Sequence, residues 1–461
     1  MFLLTSFASL SVFGIKTELK NNEPQFIKNE NTLEWKKTFD SDNDWDNGYC
    51  VKQTNDDGYI VLGSTYNDDL ECEFIWLIKT DENGNKEWDK IYGGCNYEDE
   101  YVFNMNVGLF IEQTNDGGYI IVGTRSTSIY CVGGYDVWLI KTYEDGYKEW
   151  SKTYGMSNCC TWGNSVHQTS DGGFIISATT ESWESRWPSY GAWLIKTDDL
   201  GNIEWDKTFK EEDKDNYMTI DYEPVGVEQI SGEEYILFGN TRYITWHGVD
   251  FSNAWLIKTD NDGNKLWKKT YDDSYTEKFV YGLQTEDKGY IMTGYITDKQ
   301  PDPRAYLLLV VKTDSDGNEE WYETFEAQNY DYEGCCIDQT VDGGYIITGI
   351  KEHYNPDKDT FENVLLFKID AEGNKQWENT FGGGPNYQNG AFVQQTSDKG
   401  YIITGTINKR DADDSDVWLI KTDENGNVKN KTISKSTNLC LSTFEKLMSN
   451  FPFLSRLLNL L

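Results

Sequence analysis

Histidine is almost absent from this chain. His167, His247 and His353 are the only three, and none of the nine cysteines forms a CxxC pair. The ligand spacing of a structural zinc site is therefore missing. No HExxH, P-loop or nucleophile-elbow string occurs, so these signatures of metallopeptidases, nucleotide-binding enzymes and serine hydrolases are lacking. Positive charge is scarce: 41 Lys and Arg stand against 78 Asp and Glu, a formal net charge of −37. Such a field repels nucleic-acid phosphates and anionic membrane surfaces. No stretch approaches 18 consecutive apolar residues, so no membrane-spanning helix is expected. Proline is rare, at 8. Helical periodicity is not sustained in the repeated part.

Aromatics and glycine are abundant instead. The 461 residues include 17 Trp, 30 Tyr and 41 Gly. That mixture suits short strands joined by tight turns. One unit of about 57 residues recurs seven times. Its lysines are Lys79, Lys141, Lys196, Lys258, Lys312, Lys368 and Lys421. Its glutamines are Gln53, Gln113, Gln168, Gln229, Gln284, Gln339 and Gln395. Its tryptophans are Trp35, Trp88, Trp150, Trp205, Trp267, Trp321 and Trp377. Each unit holds four strand-like stretches bounded by Gly, Asn and Asp.

Turn chemistry and loop length refine the fold. Asn83-Gly84 and Asp145-Gly146 predict type I′ hairpins between third and fourth strands. The Gln-to-Tyr/Phe interval is six residues in all seven units, whereas the other two connections vary. Successive connections alternate between faces. Both fixed hairpins are thus expected on one face and both variable loops on the other, where binding usually resides. The prediction is an all-β, seven-bladed β-propeller of four-stranded antiparallel blades over residues 31–433. Its ring is closed by the strand at residues 34–39 or by the rival copy at 428–433. Residues 1–14 read as a truncated signal peptide. Residues 436–461 read as an amphipathic helical tail that docks on a partner or surface.

These strings, WLIKTD, GNxxW and QTxDGGYI, resemble the repeats of prokaryotic cell-surface β-propeller proteins. The likeness to quinoprotein propellers is more distant. The resemblance implies an extracellular or surface-bound binding or structural protein without an assigned enzyme activity.

Candidate sites come from residues outside the repeat pattern. Five tryptophans, Trp45, Trp162, Trp183, Trp187 and Trp246, fall between the motifs, as do Tyr190 and Tyr243. Aromatic rings beside carboxylates suit sugar stacking and hydroxyl hydrogen bonds. The expected function is an exported, non-catalytic scaffold binding a glycan or a protein through its variable face. A quinone-dependent dehydrogenase, suggested by the vicinal pairs Cys159-Cys160 and Cys335-Cys336, and a glycosidase are the enzymatic alternatives. A structural surface-layer component is a third. No cofactor is expected. Asp81-x-Asn83-Gly84-Asn85 and its copies resemble the start of a calcium loop, but no glutamate follows in EF-hand register. Lys79 is expected to face Trp88 across a hairpin, as a cation–π or packed-stem contact. The cysteines are expected in loops, some of them in disulfides.

Overall fold

The computed structural model describes residues 34–428 apart from 42–44, 95–105, 127–133, 157–159, 183–188, 211–218, 232, 246–247, 272–275, 298–305, 327–329, 354–360, 383–387 and 409–413. The expected leader at 1–14 and the tail at 436–461 lie outside the described residues.

The described residues form twenty-eight strands and no helix. They hydrogen-bond into six sheets, five of them four-stranded and antiparallel. In one such sheet Asn106–Gln113, Tyr119–Ser126, Tyr135–Thr142 and Lys148–Tyr154 follow in chain order. The remaining sheet has eight strands. Its halves meet at a single parallel pair, Trp45 with Ser415. The N-terminal strand Trp35–Phe39 pairs with the last one, Ser415–Thr422, with Trp35 opposite Lys421. Of the two closing copies, the N-terminal one therefore supplies this strand. Each sheet packs on the next, and the last on the first, so the array is a closed ring of repeated blades.

Alternation explains the core. In Tyr59–Asn67 and Cys72–Thr80 nearly every residue is buried, because sheets cover both faces. Outer strands such as Lys86–Tyr92 are only half buried. Every repeat tryptophan packs against the Tyr or Phe opening the next unit's second strand, the ring planes inclined by 55° to 68°. The pairs run from Trp35–Tyr59 to Trp377–Tyr401, with ring centroids 5.7 to 6.3 Å apart. Glycine at the intervening hairpin is obligatory. A Cβ on Gly84 would lie 2.5 Å from the Trp35 ring, and its φ is +71°.

The hairpins differ from expectation. Only the glycine has positive φ in Asp81–Asn85. Gly84 N–H donates to Asp81 O and Asp81 N–H to Asn85 O. This is a three-residue loop with a left-handed glycine and a bulge, rather than a two-residue type I′ turn. Asp81 also accepts from Asn83 N–H, Asn85 N–H and the Asn85 amide. Its carboxylate thus completes the turn, which accounts for the calcium-like string.

The repeated lysines are corrected too. Lys79 does stand opposite Trp88, yet its ammonium turns to Asp56 of the other hairpin at 2.9 Å. The same pair recurs as Lys141–Asp116, Lys196–Asp171, Lys312–Asp287, Lys368–Asp342 and Lys421–Asp398, all within 3.1 Å. Unit four uses Lys258–Glu234. Burial pushes the Asp171 carboxyl up, but hydrogen bonds from Lys196, Thr169 and Gly173 N–H outweigh it and bring the group down to about 2. The strand register places the two hairpins at one end, since Tyr59 pairs with Thr80. One lysine thus ties both fixed turns together.

Candidate active site

Every inner strand carries a bulge at the same place: Gly48/Cys50, Gly108/Phe110, Gly163/Ser165, Pro224/Gly226, Phe279/Tyr281, Gly334/Cys336 and Gly390/Phe392. Side chains alternate along a strand, so residues six and one before each repeat Gln should face opposite ways. The extra residue cancels that change. Both positions therefore look into the ring's centre, one at the loop face and one at the hairpin face.

The hairpin end of the centre is filled. Phe110, Tyr281 and Phe392 come from units two, five and seven, yet Phe392 lies 6.1 Å from Phe110 and 5.5 Å from Tyr281. The Lys52 ammonium sits 4.4 Å from the Phe392 ring and 5.1 Å from Phe110. Side chains one before the glutamine latch onto the next unit. Glu112 accepts from Gln168 N–H, Glu228 from Gln284 N–H, Asp338 from Gln395 N–H and Gln394 from Gln53 N–H. These atoms complete backbone pairing and form a floor.

The loop end opens into a cleft of about 490 Å³ spanning units three to five. Trp162, Glu223 and Lys278 stand there, each six residues before its glutamine. The next inner strand places Glu333 at the same position. Arg242 donates to Glu223 at 2.7 Å and lies 4.0 Å from Asp221. Asp221 is fully buried behind this pair and accepts from Tyr190 N–H at 3.1 Å. Burial raises its carboxyl to about 6, against the lowering effect of that N–H and of Arg242. Burial also raises Glu333, reinforced by Glu352, Glu362 and Asp331 and opposed by Lys278. Tyr295 lines the cleft and is pushed up to about 12, first by burial and then by Glu333, with Glu223 also contributing.

The sequence-predicted residues separate. Trp162 and Tyr190 come together in the cleft, their centroids 5.9 Å apart. Trp45 instead opens an inner strand, opposite Tyr66 and beside Ser415. Tyr243 stacks on Phe251 at 4.3 Å on the long hairpin of unit four. Trp183, Trp187 and Trp246 lie outside the described residues. Trp45 and Trp162 belong to strands, not loops, because the inner strands begin seven or eight residues before the glutamine. Glu223, Arg242, Lys278 and Glu333 were missed: no string marks them. For Glu223, Lys278 and Glu333 the signal was a shared offset from the glutamine, where the seven units carry Asn47, Val107, Trp162, Glu223, Lys278, Glu333 and Asn389; Arg242, on a second strand, has no such marker.

The cysteine readings change. Cys335 and Cys336 are free thiols in the strand Tyr330–Gln339. No vicinal disulfide joins them, so that support for a quinone site is gone; Cys159 lies outside the described residues. Cys50 and Cys336 are buried strand residues, not loop residues. Cys72 is disulfide-bonded.

No protein-family model matches the chain, and no curated protein matches it. Among solved structures it is similar to a polysaccharide lyase, at 9% identity over 82% of this chain and 90% of the other, with a TM-score of 0.49. It is also similar to an alpha-L-arabinofuranosidase of Fusarium graminearum, at 9% identity, 82% and 93% coverage and a TM-score of 0.43. An alpha-L-arabinanase of Penicillium chrysogenum matches at 10% identity, 82% and 94% coverage and a TM-score of 0.41. At such identity the likeness concerns the fold and assigns this chain no activity or substrate. All three are enzymes by their own descriptions, and the expectation of a non-catalytic scaffold for glycans or proteins is accordingly withdrawn.

Proposed function

We propose that the chain is a glycoside hydrolase whose reaction takes place at the loop-face mouth of the ring, with Glu333 as the acid and Glu223 as the base. The observation that carries this reading is the contrast between the two carboxyls. Glu223 is ion-paired with Arg242 at 2.7 Å, while Glu333 is raised by burial and acidic neighbours. A carboxyl that burial and acidic neighbours keep protonated longer suits the acid role, and one paired with a guanidinium is placed to accept a proton. Glu333 gives its proton to the glycosidic oxygen as the bond to the anomeric carbon breaks. Water adds to that carbon, and its proton passes to Glu223. One inner strand, carrying Lys278, stands between them, which favours the wider spacing of inverting enzymes. A panel of aryl glycosides and glycans, followed by NMR of the new anomer, tests it. No turnover on any member by the full chain, or turnover unaffected in both Glu333→Gln and Glu223→Gln, would sink the assignment.

The architecture belongs to the same proposal. The eight-stranded sheet is read as two blades joined at the Trp45–Ser415 bridge, giving a seven-bladed ring. The seven Lys–acid ties and seven Trp–aromatic contacts support that count. The Cys72 disulfide supports an oxidising, extracellular location. The resemblance to cell-surface repeat proteins is consistent with it.

A further inference from the structure

Three rings line up across the loop face. Tyr135 opens the third strand of unit two, Trp162 stands on the inner strand of unit three, and Tyr190 is the second residue of that unit's third strand. Their centroids are 6.2 Å apart from Tyr135 to Trp162 and 5.9 Å from Trp162 to Tyr190. All three are partly exposed. Trp76 and Trp255, by contrast, lie inside the blades with no exposed area. The planes of the row differ by 33° and 43°, so neighbouring faces turn gradually. Trp162 and Tyr190 belong to the cleft wall, whereas Tyr135 does not, so the row runs out of the cleft toward unit two.

We propose that this row is a set of sugar subsites, so that the substrate is a neutral glycan chain bound along several units rather than a single terminal sugar. Each step of the row is of the order of one sugar unit, and aromatic faces accept the apolar faces of sugar rings. Neutrality follows from charge. Among the described residues lining the cleft, the cations are Arg242, already paired with Glu223, and Lys278, whose charge opposes the rise of the Glu333 carboxyl. The whole chain carries −37, which repels polyanions. The proposal rests on the hydrolase reading for its site but not for its readout.

The test is equilibrium binding to the full-length Glu333→Gln chain. The probes are arabino-, xylo-, manno-, laminari- and cello-oligosaccharides of two to six units, with oligogalacturonates as the anionic series. At least one neutral series should gain about tenfold or more in affinity between two and four units. Tyr135→Ala and Trp162→Ala should each lose about three- to tenfold on the longer members. Tyr135→Phe and Trp162→Phe, which keep a ring, should retain the gain. Should an alanine variant misfold, as judged by its melting curve, the phenylalanine pair and Tyr135→Leu carry the comparison. Affinity that is flat with length, no binding by any neutral series, or preference for oligogalacturonates overturns the proposal. Length-dependent binding by a wild-type chain that hydrolyses nothing would leave the subsites standing and remove only the carboxylate assignment. Hydrolysis with flat binding would do the reverse.

Discussion

The two ends of the same inner strands obey different rules. At the hairpin end every unit ties its two turns together through one lysine, and in four units the residue before the glutamine latches onto the next unit. At the mouth, the equivalent position holds Trp, Glu, Lys and Glu in four successive units. Repetition marks where the ring is held together, and variation marks where side chains are released from that duty. Burial raises carboxyls at both ends, Asp221 and Glu333 at the mouth and Glu228 and Asp338 in the floor, but only the floor pair is committed to holding the next unit's backbone.

The comparison breaks first at the carboxylates. Glu333→Gln should lower kcat/KM on any glycoside turned over by about 10²–10⁴-fold, with the melting temperature little changed. The wild-type rate should fall as pH rises through a pKa above the ordinary glutamate value, and a pH–rate profile checks this. Next comes the hairpin end. Lys312→Met leaves Asp287 and Glu320 without their shared cation. Breaking a buried pair costs about 3–5 kcal/mol, but Asp287 is 60% exposed, so about 2–3 kcal/mol is expected in urea unfolding. The same change should leave glycoside turnover intact.

Asp221→Asn should act in the opposite direction. A folded pKa of about 6, above the ordinary 3.8, means the native state holds the proton longer. The group's favourable contribution is full below pH 3.8 and is lost as pH rises through about 6. At pH 7.5 the asparagine variant should therefore be more stable by about 1–3 kcal/mol, and that gain should vanish near pH 4. The smallest effect belongs to the thiols. Cys335→Ser should leave stability within about 1 kcal/mol, and mass analysis of the wild type should show Cys335 and Cys336 unlinked.

Much of the scaffold was legible because each unit must satisfy the same constraints seven times. The Gln-to-Tyr interval and the WLIKT strand appear wherever the backbone demands them. The lysine partner was less visible, since Asp56 lies in a different hairpin from Lys79 and the facing Trp88 offered a nearer explanation. The turn type was missed because Asn-Gly occurs in both two- and three-residue loops. The bulge sets the candidate site and leaves no string: it lets both ends of the inner strand face one way, where alternation alone would have turned one end away. Trp45 shows the converse, an off-pattern ring used for joining rather than for the cleft.

The pairing of Trp35–Phe39 with Ser415–Thr422 carries a consequence in time. Among the described residues the first strand is completed by the last. At ribosomal rates of about 5–20 residues per second, it waits on the order of 20–80 s for its partner to emerge. Until then both ends of the array offer unpaired strand edges to any neighbouring chain. A nascent-chain arrest just short of Ser415 should thus be far more prone to self-association than one released after Thr422. The ring's longevity is decided at the moment its ends meet.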